Sequence, residues 1–119
     1  MAPSSSAKFS GAVDVEKAAK ITWQAANQSV EFAGAVTGSG NLTLATYNNG
    51  AQNGSKFIIG GDASQFAGAL NVNPASITLE IKEGAKLNIG SGSDLKGAVS
   101  LDGELTVNGA AAISGNITG

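Results

Sequence analysis

Nine carboxylates carry almost all the side-chain chemistry this chain could perform: Asp14, Glu16, Glu31, Asp62, Glu80, Glu83, Asp94, Asp102 and Glu104. Two carboxylates converging across a cleft are what glycoside hydrolysis requires. The best placed candidates are poor ones. Glu80 shares the outward face of one strand with Lys82, opposite in parity to Ile77, Leu79 and Ile81, which reads as surface charge. Asp102 and Glu104 flank Gly103 and read as a turn beside a strand end. No His, Cys or Arg is present, because all seven basic residues are Lys. Thiol nucleophiles, imidazole bases, disulfides and ordinary zinc sites are therefore excluded, as is the bidentate guanidinium fork. The expectation is a non-catalytic protein with no cofactor and no metal.

The remaining short strings have structural readings. Gly90-Ser91-Gly92-Ser93-Asp94 looks like half of a calcium-binding Gly-Asp repeat, with Gly60-Gly61-Asp62 its only counterpart. Such a site needs adjacent turns to supply oxygens, and a tight corner is the expected role. Gly38-Ser39-Gly40 leads into no helix and is no dinucleotide fingerprint. Asn-x-Ser/Thr at Asn27, Asn41, Asn53 and Asn116 follows from composition. A net charge of −2 without a basic cluster argues against nucleic acid. No apolar run approaches the roughly 20 residues of a membrane-spanning helix, and residues 1–8 read as a disordered polar tail rather than a signal peptide.

One stretch has the makings of a contact surface. Residues 45–56, ATYNNGAQNGSK, carry the lone Tyr and two Asn-Gly pairs that favour tight turns. Tyr47, Asn48, Asn49, Gln52 and Asn53 are the candidate contact residues, since polar loop tips often bind.

What positions that loop is a phrase the chain repeats: apolar–x–Gly–x–apolar at 9–13, 32–36, 66–70, 95–99 and 113–117. Its alternation is strand period. Strands with Thr between two apolar residues follow, around Thr22, Thr43, Thr78 and Thr106. From phrase to Thr the spacing is 13, 11, 12 and 11 residues (9→22, 32→43, 66→78, 95→106). From Thr to the next phrase it is 10, 23, 17 and 7 (22→32, 43→66, 78→95, 106→113). A near-constant half and a variable half suggest stacked rungs with insertions at one corner. The expected fold is all-β, a single-stranded parallel β-helix of about four to five rungs over residues 9–119, right-handed by the crossover rule; a β-sandwich is the alternative. In that frame Phe9, Phe32, Phe66, Leu95 and Ile113 would form one buried column, with Val13, Val36, Leu70, Val99 and Ile117 beside it. The phrase glycines would make room for the column, and the four Thr would line up as an outward ladder.

The strings FAGAVTGSGNLTL and FAGALNVNPASITL resemble strand repeats of bacterial autotransporter passenger domains, loosely over 9–119 and best over 32–81. That resemblance implies a β-helical adhesion or display segment at the bacterial cell surface, or secreted, cut from a larger precursor. Its partner would be a host glycan or protein, without direct membrane insertion. AAISGNITG at 111–119 resembles the rung ends of bactofilins, which implies a cytoplasmic, polymerising cytoskeletal protein. A carbohydrate-active β-helix enzyme ranks third. Ends without polar caps would favour end-to-end self-association.

Overall fold

In the computed structural model, residues 6–47, 50 and 52–119 are described. Among the described residues, seventeen short strands wind into a parallel β-helix of about five to six rungs, and every strand pair is parallel. A sandwich, built from antiparallel neighbours, is thereby ruled out.

Three faces make up each rung. Face A is a six-stranded sheet of β1 (Ala7–Phe9), β4 (Ser29–Phe32), β7 (Ser55–Ile59), β11 (Ile77–Ile81), β14 (Val99–Leu101) and β17 (Ile117–Thr118). Face B joins two short sheets: β2 (Val13–Asp14), β5 (Val36–Gly38) and β9 (Gln65–Phe66), then β8 (Asp62–Ala63), β12 (Lys86–Ile89) and β15 (Glu104–Val107). Face C stacks β3 (Ala19–Trp23), β6 (Leu42–Thr46), β10 (Leu70–Val72), β13 (Ser93–Leu95) and β16 (Ala111–Ile113). β1 takes in Ala7 and Lys8, two residues of the stretch read as tail, and the Ser6 hydroxyl accepts from the Ser29 N–H at 3.0 Å.

The register corrects the expected column. On face A, Phe9 lies beside Phe32, Phe32 beside Ile59, Ile59 beside Ile81, and Ile81 beside Leu101. Leu95 and Ile113 belong instead to face C, in line with Ile21, Leu44 and Val72. Phe66 sits on face B beside Gly38. Val13 does pair with Val36, but Leu70 pairs with Leu42, and Val99 with Leu79 and Ile117. Phe32, Phe66 and Leu95 are buried, Ile113 is half-buried, and Phe9 is exposed at the N-terminal end.

The repeated phrase marks a corner, not a rung. At 9–13 and 32–36 it turns the chain from face A to face B, at 66–70 from B to C, and at 95–99 and 113–117 from C to A. Its unequal intervals are steps between corners of different kinds. True circuits run 23, 27, 22 and 20 residues on face A (9→32→59→81→101).

The Gly has a corner reason as well. A Cβ on Gly68 would strike the Gly40 carbonyl oxygen, and one on Gly97 the Ile77 carbonyl oxygen, so the chain of one rung lies flat on the backbone of the preceding one. Room for the phrase's own first side chain is secondary: at Gly68 that ring approaches, with Phe66 Cζ at 3.1 Å, but the nearest obstacles at Gly34, Gly68, Gly97 and Gly115 are backbone atoms of another rung.

The Thr ladder does not form. Thr22 lies beside Ala45, Thr43 beside Lys20 and Asn71, Thr78 beside Lys56, and Thr106 beside Asn88.

Inside, Val, Ile and Leu form continuous columns, and the first rungs add aromatics. Phe9–Phe32, Phe32–Phe57 and Trp23–Phe57 meet edge-to-face at 5.4, 5.0 and 6.4 Å between ring centroids. Each such pair is worth about 0.5–1.5 kcal/mol beyond the area it buries. The first two circuits hold these rings, the third holds Phe66, and the circuit from Ile81 to Leu101 holds no aromatic ring.

Candidate contact surface at the second corner

The segment singled out as a contact loop is the face C to face A corner of the second rung, between β6 and β7. Its two ends are anchored inside. Thr46 is buried beside Trp23, and Ser55 is fully buried. The Ser55 hydroxyl donates to the Ala25 carbonyl at 3.2 Å and accepts from the Gln28 N–H at 3.3 Å, which ties this corner to the one before it. The Trp23 indole N–H donates to the Gln28 carbonyl at 3.0 Å, fixing that earlier corner from within.

Between the anchors the chain is held at several points. Gly50 N–H donates to the Tyr47 carbonyl at 2.9 Å. The Gln52 N–H donates to the Ser76 hydroxyl at 3.3 Å, on the following rung's corner, and the Asn53 carbonyl accepts from the Asn27 N–H at 3.0 Å, on the preceding one. Asn27 and Gly54, which touch each other, both have positive φ, 58° and 78°. These are conformations that Asn and Gly tolerate best. Of the five candidates, Tyr47 is 55% exposed, Asn53 is exposed and Gln52 is half-buried. Asn48 and Asn49 lie outside the described residues.

Sequence reasoning missed the neighbour of this corner. A shallow depression of about 240 Å³ lies over face C, lined by Lys20, Ala45, Thr46, Asn73 and Pro74. Lys20 comes from the first rung and Asn73-Pro74 from the third, so only the stacking brings them together. The Asn-Pro turn dipeptide was the one available signal.

The carboxylates are spread over the outer faces and are mostly engaged there. Lys56 Nζ pairs with Glu80 at 3.2 Å, Lys82 Nζ with Glu31 at 3.1 Å, and Lys96 Nζ approaches Asp94 at 3.9 Å. The Glu80 and Lys82 read as surface charge thus each find a partner from another rung. Asp62 accepts from both the hydroxyl and the N–H of Ser64, and these bonds hold its carboxyl below the ordinary value. At the N-terminal end, the hydrogen bond and negative charge of Asp14 push the Glu16 carboxyl above its ordinary value. The two Gly-Asp strings are not neighbours, because Asp62 pairs with Lys86 on face B and Asp94 with Asn71 on face C. Among the described residues no three acidic side chains cluster as metal ligands.

Buried polar groups serve the corners. Ser93 Oγ donates to the Gly90 carbonyl at 2.8 Å and accepts from the Leu70 N–H at 3.0 Å. Asn88 Nδ2 donates to the Phe66 carbonyl at 2.6 Å, and Asn108 Nδ2 donates to Asn88 Oδ1. These side chains stand in for backbone bonds where the strands break.

The fold and this surface define a β-solenoid protein. No protein-family model, no curated protein and no solved structure matches the chain.

Proposed function

We propose that the chain is a non-catalytic β-helical scaffold of a bacterial cell-surface protein, part of a larger precursor, that displays its second corner to a host glycan or protein. The observation that carries this reading is Tyr47. It is an exposed aromatic ring on a corner that is bonded to the corners on both sides and backed by buried Trp23, Thr46 and Ser55. A ring presented by a rigid support loses little freedom on binding. Tyr is also well suited to recognition, with an apolar body and a polar tip.

The test is a corner exchange. The first rung turns the same corner in residues 24–28 and the third in 73–76. Replacing residues 47–54 with Asn-Pro-Ala-Ser, the third rung's corner, therefore leaves enough chain to close. Binding to glycan arrays and host cells should fall by about tenfold or more, as for loss of a central aromatic contact, while the far-UV spectrum persists. Tyr47→Ala alone should do most of this. Undiminished binding by a folded exchange variant would sink the proposal.

A further inference from the structure

The depression over face C borders an unpartnered polar group. Thr46 lines it and is only 7% exposed, yet among the described residues its hydroxyl makes no hydrogen bond. No buried side-chain nitrogen or oxygen lacks a partner among those residues, so this hydroxyl is reachable from outside. The hollow itself has a simple cause. Ala45 points outward from β6 beside Thr22 of β3. The Asn73 N–H donates to the Leu44 carbonyl at 3.2 Å, so the register runs on past β10 and sets Asn73 on the other side of Ala45. A small side chain between two larger neighbours leaves a space of about 240 Å³. The Asn73 amide also makes no hydrogen bond among the described residues. Charge separates this area from the other faces. β3, β6 and β10 carry Lys20 and no carboxylate, whereas Glu31 and Glu80 lie on face A and Asp14, Asp62 and Glu104 on face B. The carboxylate of the next face C strand, Asp94 of β13, approaches Lys96 at 3.9 Å.

The geometry points to a binding site for one acidic sugar unit, a pyranose ring carrying a carboxylate. The inference rests on the reading of the second corner as a contact surface and names the ligand it takes. The Lys20 ammonium meets the single charge of the carboxylate. The Thr46 hydroxyl and the Asn73 amide can each donate and accept, which matches sugar hydroxyls. Ala45 and Pro74 offer apolar surface to the C–H face of the ring. The space is smaller than the roughly 300–1,000 Å³ of sites for drug-sized ligands, so it takes one ring rather than a longer segment. The outward neighbours on β3, β6 and β10 include Thr22, Thr43 and Asn71, hydroxyls and an amide that suit the next sugar better than a charged peptide. Tyr47 follows Thr46 directly, so a glycan seated here continues toward the exposed ring.

The test is calorimetric titration with two acidic probes, a hyaluronan oligosaccharide and sialyllactose, each beside its carboxyl-reduced neutral form. The wild-type chain should bind at least one acidic probe about tenfold or more tightly than its neutral form, the scale of a hydrogen bond to a charged group, and added salt should narrow the gap. Lys20→Gln should abolish the preference and leave binding of the neutral form unchanged. Asn73→Asp, which sets a carboxylate beside the hollow, should weaken binding of the acidic form alone. Lys20 and Asn73 are both exposed, and far-UV spectra check that each variant folds. A wild-type chain that prefers neither acidic probe, or a preference that survives in folded Lys20→Gln, overturns the inference. So does a polyglutamate peptide that binds as tightly as the acidic glycan, since charge and not sugar would then be read. Tyr47→Ala separates the two readings. If it weakens acidic and neutral forms alike while Lys20→Gln changes nothing, the contact corner stands and only the acidic-sugar site falls.

Discussion

The corner glycines allow a sharp test, because one chemical change should have opposite signs at two copies of the same phrase. Gly68 and Gly11 hold the same place in apolar–x–Gly–x–apolar, and neither has the positive φ that an alanine would resist. Their surroundings differ. A Cβ on Gly68 would run into the Gly40 carbonyl oxygen and carbon and come within 3.1 Å of the Phe66 ring; one on Gly11, in the first of the described rungs, would meet nothing within 4 Å. At Gly68 the obstacle is backbone bonded into the stack, since the Gly40 N–H donates to Val15 and the adjoining Leu42 N–H to Ala69. The rungs must separate locally or the corner must distort. Overpacking of this kind costs about 1–3 kcal/mol, and more where backbone cannot move. Gly11→Ala should instead be neutral or stabilise by about 0.4–1 kcal/mol, through the lost freedom of the unfolded chain. Urea unfolding followed by far-UV circular dichroism measures both. At about 4 °C per kcal/mol for a chain of this size, the two melting temperatures should differ by roughly 4–16 °C. If Gly68→Ala lies within about 0.5 kcal/mol of the wild type, or Gly11→Ala is the more damaging of the two, the account of the phrase as a backbone-on-backbone corner is wrong.

Three further outcomes follow from the core and its charges. Phe66→Ala, deleting a buried ring, should cost about 3–5 kcal/mol, whereas Phe9→Ala, at the exposed mouth, should cost clearly less; equal losses in reversible melts would contradict the burial pattern. Ser93→Ala leaves the Leu70 N–H and the Gly90 carbonyl buried without that partner and should cost about 1–3 kcal/mol; a change below about 0.5 kcal/mol would show that the corner re-bonds itself. In a carboxyl NMR titration, Glu16 should titrate above and Asp62 below their ordinary values. The stabilisation linked to Glu16 is present at low pH and lost as pH rises through its raised pKa, while that linked to Asp62 is present above the ordinary aspartate pKa and lost as pH falls through its lowered one. Asp14→Asn should return Glu16 downward and Ser64→Ala should return Asp62 upward; no movement in either case would refute the pairing.

The contrast between what the sequence disclosed and what it concealed has a physical origin. Period-two alternation with recurrent Gly discloses stacked parallel strands, because an inward apolar residue every second position is useful only against another rung. It does not disclose register. Phe32 and Phe66 open phrases that differ only in their last residue, FAGAV and FAGAL, yet one closes a face A strand beside Phe9 and the other a face B strand beside Gly38. The local demand is the same in both places: an apolar side chain ending one strand, a residue without Cβ where the chain presses on the preceding rung, and an apolar side chain starting the next face. Nothing in that demand says which of three corners is being turned. Register is set instead by the circuit length, which varies mainly with the face C to face A corner: residues 24–28, 47–54, 73–76 and 96–98 in successive rungs, five, eight, four and three residues. The 27 residues from Phe32 to Ile59 include the longest of these corners, and the 20 from Ile81 to Leu101 the shortest. The long second corner, as a corner, was legible for the opposite reason. Asn-Gly pairs and a lone Tyr are local signals, and a corner can extend outward without disturbing the faces on either side. Its neighbour, the depression formed with Lys20 and Asn73, was not legible, because the two residues are 53 positions apart (20→73) and meet only through a register that the phrase does not encode. In a solenoid of this kind the repeat therefore specifies how the chain turns, and the length of each corner specifies where the next turn falls.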